Sequence, residues 1–191
     1  MNVTTQTLRE QHRERTGAAI HEATYQLVEA HGIIATSIDD IASKAGVSRR
    51  TFFNYFASKE HALLGLMIPT LPESAVAAFN ASTESPLLRC VHIILSAYDT
   101  SVATGSSKER RRQLFVAYPE IHTKVEAYMG EIEQLVEPVV SQAFTNTPVP
   151  TSLILQLAGA VLRYCNKTNQ PITTATLKSV IETLHDITKG I

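Results

Sequence analysis

The sequence predicts an all-α fold, and three observations carry that reading. Apolar residues recur at intervals of three and four along most of the 191 residues, which is the period of an amphipathic helix. Runs of alternating Val, Ile and Thr bounded by Asn-Gly or Asp-Gly turns, the marks of hairpins, are absent. All eight prolines fall between Pro69 and Pro171, so the opening region and the remainder follow different rules. About nine helices are expected, in two regions spanning residues 1–68 and 69–191, with no internal repeat.

The first helix is expected from Arg9 or Arg13 to Ala30, with Ile20, Ala23, Leu27 and Val28 on one face and Gly32 suited to a left-handed cap. The second begins at Ser37, whose spacing to Asp40 resembles a capping box; it buries Ile38, Ile41, Ala42 and Ala45 before Gly46 ends it. Ser48 caps a third through Phe56, and Ser58 caps a fourth that continues to a break near Pro69 and Pro72.

Ser85 before Pro86 is a cap followed by a first-turn proline, opening a helix whose stripe of Leu87, Val91, Leu95, Tyr98 and Val102 ends near Gly105. Further helices are expected over Lys108–Ala117 and Pro119–Phe144. The second of these turns Ile121, Val125, Met129, Ile132, Val136, Val139 and Ala143 inward, with a kink at Pro138. The last two cover Thr151–Asn166 and Thr174–Lys189.

The net charge of −1 gives no global field toward a polyanion, so any such attraction has to be local. From Ala42 to Lys59 stand four cations, Lys44, Arg49, Arg50 and Lys59, and no carboxylate, although the first sixty residues balance seven basic against seven acidic. Arg49, Arg50 and Lys59 open two helices, where the dipole disfavours cations. With the free amides there, they suit phosphates.

At about 100° per residue, Phe52 and Phe56 share one side of the third helix and anchor it, while Arg50 and Asn54 lie opposite, flanked by Arg49, Phe53 and Thr51. Arginine matches guanine O6 and N7, asparagine matches adenine N6 and N7, and an exposed aromatic meets a thymine methyl. A helix, a glycine turn and a second short helix form the helix-turn-helix plan.

The segment TSIDDIASKAGVSRRTFFNYFASKEHALL, residues 36–64, resembles the DNA-binding signature of the TetR family of bacterial transcriptional regulators. Ile41-Ala42, Gly46-Val47-Ser48, Thr51-Phe52, Tyr55-Phe56 and Ser58-Lys59-Glu60 carry the resemblance. It implies phosphate contacts from Ser37, Thr51, Tyr55 and Lys59, and base or mixed contacts from Arg49, Arg50, Phe53 and Asn54, with Ser48 completing the set. Phe53 departs from the tyrosine often found in the family, so a hydroxyl contact to phosphate is lost there. Asp39, where some relatives carry a base-contacting residue, is read as favouring the helix dipole.

Leu153–Cys165 has only Gln156 and Arg163 as strongly polar members, so that helix has to be covered on both sides. Ala158, Gly159 and Ala160 permit close approach. The final helix offers Leu177, Val180, Ile181, Leu184 and Ile187, and a two-fold pair of such hairpins makes a four-helix interface through Leu157, Val161, Leu177, Ile181 and Leu184. The resemblance also implies dimerisation through the last helices, a near-palindromic operator, and a small apolar or amphipathic effector that weakens operator binding. His92, Tyr98, Tyr118 and His122 are the weak candidates for its pocket, with a core role as the alternative for each. The run KERRR, Lys108–Arg112, is read as solvated, with a position facing the DNA-binding region as the alternative.

The expected function is therefore a DNA-binding transcriptional repressor released by an effector; the alternative is an architectural DNA-binding protein of the same fold. The sequence lacks a GxSxG elbow, a Walker loop, a Rossmann glycine set and an HExxH pair, and its seven histidines form no ligand spacing, so neither catalysis nor a metal or cofactor is expected. Cys90 and Cys165 stand far apart, which fits buried thiols in a reducing compartment. The opening MNVTTQTLREQHRERTG lacks the apolar core of a signal peptide, and no apolar run is long enough to span a bilayer, so a cytoplasmic location without a membrane partner is expected.

Overall fold

Ten α-helices account for the described residues, 8–145, 148–168 and 171–189 of a computed structural model, in which the side chains of Lys108, Ile187 and Thr188 are also outside the description. In chain order they are α1 (Leu8–Ala35), α2 (Ile38–Lys44), α3 (Arg49–Tyr55), α4 (Lys59–Leu64), α5 (Glu73–Ala81), α6 (Pro86–Asp99), α7 (Lys108–Ala117), α8 (His122–Ala143), α9 (Thr151–Lys167) and α10 (Thr174–Lys189). A 3₁₀ turn, Pro119–Ile121, leads into α8. Among the described residues the only β-type pairing is an isolated bridge between Leu66 and Val102.

The chain divides into two units: residues 1–69 with 101–128, and residues 70–100 with 129–191. The first is discontinuous, because Ser101–Tyr128 folds with the N-terminal helices rather than with the sequence on either side of it.

In the first unit α1 packs on α4 and α2, and α2 on α3. Its core is Ile20, Ile41, Phe52, Phe56, Ala62, Met67 and Ala103, edged by Leu27, Ile38, Ala45, Val47 and Tyr55. Gly32 interrupts α1 at φ 79°, ψ 161°, and Thr36 spans the break by donating to the Gly32 carbonyl at 2.9 Å. Gly17 is buried under the Met67 thioether, so α1 and Met67 meet where no Cβ fits.

α4 stops at Leu64 instead of running on toward Pro69, because Gly65 adopts φ 72° and turns the chain to pair with Ala103 and Met67 with Ser101. A Cβ on Gly65 would lie 2.5 Å from that of Ser106, whose hydroxyl donates to the Leu64 carbonyl at 2.8 Å. Tyr128, fully buried, donates to the Met67 and Ser101 carbonyls at 2.8 and 3.3 Å. The run Lys108–Arg112 is not simply solvated: Arg110 pairs with Glu22 of α1 at 3.0 Å and lies over the Tyr25 ring, while Arg111 donates to Ser106 at 2.7 Å.

The second unit packs α6 on α9 and α5, with α10 against α9. α5, absent from the sequence expectation, buries Ala75 and Phe79, and Phe79 meets Phe144 edge-on beneath Arg89. Ser85 caps α6 with Pro86 in its first turn as expected, but the helix ends at Asp99, ahead of Gly105. From the 3₁₀ turn through α8 the buried positions are Ile121 and Tyr128 in the first unit and Ile132, Val136, Val140 and, just past the helix end, Phe144 in the second, so Met129, Val139 and Ala143 sit one position off the expected stripe. Pro138 lies within that helix.

Candidate nucleic-acid interface

Three serines set the three short helices of the first unit. Ser37 Oγ accepts the Asp40 amide at 3.1 Å and donates to the Asp40 carboxylate at 2.6 Å. Ser48 Oγ accepts the Thr51 amide at 3.0 Å, and Ser58 Oγ accepts that of His61 at 3.4 Å. Such caps contribute on the order of 1 kcal/mol each. Gly46 at φ 69° makes the turn between α2 and α3, where the Val47 amide closes on the Ala42 carbonyl at 2.9 Å.

α3 is then held by its two aromatic anchors: Phe52 and Phe56 are fully buried with ring centroids 6.1 Å apart. Fixing that side of a seven-residue helix leaves Arg49, Arg50, Phe53 and Asn54 exposed on the other. Phe53 is 41% exposed although its edge rests on Phe52 at 5.4 Å, so it is supported rather than buried. Arg50 and Asn54 are one helical turn apart, and no described side chain engages either. Thr51 and Tyr55 are half-buried at the edge; the Thr51 hydroxyl lies 2.8 Å from Ser48 Oγ, and Arg13 lies over the Tyr55 ring.

Two of the expected cations have internal partners that the sequence did not reveal. Lys59 Nζ donates to the Ile33 and Thr36 carbonyls at 2.7 and 2.9 Å, closing the end of α1. Arg49 Nη1 meets both oxygens of Asp39, at 2.9 and 3.0 Å, so Asp39 serves an ion pair in addition to the helix start. Beside Lys59, burial pushes the Glu60 carboxyl up, but the Ser58 hydroxyl, its own amide and the charges of Lys124 and Lys59 outweigh it and hold the group below its ordinary value.

The remaining candidates are distributed differently from expectation. His92 pairs with Glu84 at 3.1 Å and, with the half-buried Tyr98, belongs to the second unit; Tyr118 and His122 belong to the first, where His122 stacks on Phe115 at 4.1 Å. These four are not brought together within either unit. The second unit instead has an open apolar groove of about 380 Å³ lined by Pro86, Leu87, Val149, Ile154, Leu157 and Ile181 among others. Among the described residues no cluster of His, Cys, Asp or Glu could hold a metal ion, and no helix is long and apolar enough to cross a membrane.

Of the five residues expected at an interface between copies, Val161 and Leu177 are only 1% exposed and serve their own unit. Leu157 and Leu184 are open and Ile181 is half-buried; Leu153, Ala160 and Tyr164 extend the exposed stripe of α9. Ala158 and Gly159 look inward, and Gly159 leaves room for the Glu133 carboxylate of α8.

A capped helix, a glycine turn and a second helix presenting Arg, Arg, Phe and Asn define a helix-turn-helix protein. Residues 20–64 match the profile of bacterial regulatory proteins, tetR family. Over that segment the chain is similar to the TetR family.

Among relatives, it is 33% identical over 94 residues to the HTH-type transcriptional regulator EthR of Mycolicibacterium smegmatis, covering 46% of this chain and 43% of that protein. The match therefore spans less than half of that relative's length. It is 27% identical over 154 residues, 78% of each chain, to the Mycobacterium tuberculosis protein MftR, named for a mycofactocin biosynthesis transcriptional regulator. The crystal structure of the TetR family transcriptional regulator PfmR from Thermus thermophilus aligns with 88% of this chain and 95% of its own at 19% identity, with a TM-score of 0.32, an overlap too loose to support an argument.

Proposed function

We propose that this protein is a DNA-binding transcriptional regulator, acting as a repressor that a small apolar or amphipathic effector releases from a near-palindromic operator. One observation carries the reading: Arg50 and Asn54 are exposed and unengaged on a helix whose opposite side is pinned by two fully buried phenylalanines. That is what base reading requires, because a side chain can report a base edge only from a fixed backbone. EthR and MftR, named as transcriptional regulators, support the same class.

In this reading the functional division is a DNA-binding domain over residues 1–68 and an effector-binding and dimerisation domain over 69–191, with Ser101–Tyr128 packed on the former. Arg49, Arg50, Phe53 and Asn54 read bases, while Ser37, Ser48, Thr51, Tyr55 and the third donor of Lys59 hold phosphates. Leu157, Ile181 and Leu184 meet a second copy, which sets two reading helices roughly 34 Å apart on successive major-groove faces. The protein works in the cytoplasm and catalyses no reaction. Genome-wide occupancy tests the reading: a regulator occupies one or a few promoters, whereas dispersed occupancy at many sites would identify an architectural protein.

A further inference from the structure

The arginine at the start of α3 does not face solvent alone. Asp39, ten residues earlier in the first turn of α2, receives two bonds from Arg49 Nη1, and the guanidinium also stands 5.6 Å from the Phe53 ring centroid. Both members of the pair are largely exposed, so it contributes little to folding. Its position matters more than its strength. A carboxylate on a surface meant for a polyanion opposes phosphate, and an arginine already paired releases fewer counterions when it meets one.

Resting on the DNA-binding reading, we propose that Asp39 is a specificity-determining residue that positions Arg49. Both bonds leave from Nη1, so the Nη2 and Nε donors remain available, and their direction is set by the carboxylate on one side and the Phe53 ring on the other. A base edge in the correct register meets those donors without breaking the pair. A phosphate of arbitrary sequence can capture Arg49 only by pulling it off Asp39, against the carboxylate's own repulsion. Asp39 therefore weakens sequence-independent binding more than sequence-specific binding, and specificity is that difference.

The test uses the full chain as wild type, Asp39→Asn, Arg49→Ala and the double variant. Each is titrated from low to moderate salt against a random-sequence duplex and a duplex that the wild type enriches from a randomised pool. Asp39→Asn is expected to bind the random duplex severalfold tighter, with a slope of log K against log salt steeper by about 0.9, one added phosphate contact. It should bind the enriched duplex no tighter, and in the Arg49→Ala background, where only the carboxylate's own repulsion is removed, it should tighten the random duplex by clearly less and leave the salt slope unchanged. An unchanged slope on random duplex, equal tightening on both duplexes, or the same change without Arg49 would overturn the proposal and leave the DNA-binding reading standing. A wild type that enriches no sequence overturns both.

Discussion

Arg50 and Asn54 can each make paired bonds to one base, guanine and adenine respectively, so losing either should be felt at particular positions of the operator. Arg50→Ala or Asn54→Ala is expected to cost about 1–3 kcal/mol at a few base pairs and little elsewhere, measured with operators changed one position at a time; uniform weakening on every sequence would contradict that role. Lys59 behaves differently, because its ammonium already holds two carbonyls. Lys59→Ala should lower unfolding stability by about 1.5–3 kcal/mol, the range for a hydrogen bond to a charged group, and an unmoved denaturant midpoint would argue against the clamp. Its partners lie 26 and 23 residues away in sequence, and those of Arg49 ten, which is why charge counting located the cations but not what holds them.

His21 adds a pH dependence at the same scale. Burial lowers its pKa below the ordinary 6.5, with Arg110 and Arg111 adding to the effect, while the bond to the Ala62 carbonyl at 2.8 Å and Glu22 partly oppose it. Its Nε2 is buried without a hydrogen-bond partner. The folded state thus binds this proton more weakly than the unfolded chain, so the contribution of His21 is complete above the ordinary histidine value and declines as pH falls below it. A ring titration followed by NMR should give a midpoint below 6.5; a midpoint at or above that value would contradict the burial argument.

At the scale of elements, serine and glycine punctuation was mostly legible: Ser37, Ser48, Ser58 and Ser85 cap their helices and Gly46 takes positive φ, whereas Gly32, at φ 79° and ψ 161°, kinks a helix that runs past the expected end at Ala30 to Ala35. Stops and faces decided by distant partners were not. Gly65 ends α4 because the following chain pairs with residues 101–103, and Ser106 fills the space a side chain would need. Gly65→Ala should therefore destabilise the fold by more than the roughly 1 kcal/mol of a backbone penalty alone, seen as a lowered thermal midpoint; an unchanged midpoint would mean the turn adapts freely. On α8, periodicity could not choose between adjacent residues: Tyr128 takes the inward position because its hydroxyl finds two carbonyls there, and Phe144 because Phe79 and Arg89 receive it. α5 was missed because Pro72 precedes it without a side-chain cap, although Ala75 and Phe79 share its buried face.

For the whole molecule, the residues around α9 divide between two tasks. Ile154, Leu155, Ala158, Val161, Leu162 and Cys165 are buried, while Leu153, Leu157, Ala160 and Tyr164 form an exposed stripe suited to a second copy. The apolar circumference announced both tasks without saying which residue served which. Leu157→Glu with Leu184→Glu should leave single chains at micromolar concentration in sedimentation and weaken operator binding at least about tenfold, or 1.4 kcal/mol; a dimer that survives both changes would place the interface elsewhere. The central claim, that α3 reads sequence from its pinned scaffold, is tested most directly by selecting duplexes from a randomised pool with the purified protein. The account predicts enrichment of a near-palindrome with half-sites one helical turn apart. A pool that emerges unenriched would contradict it.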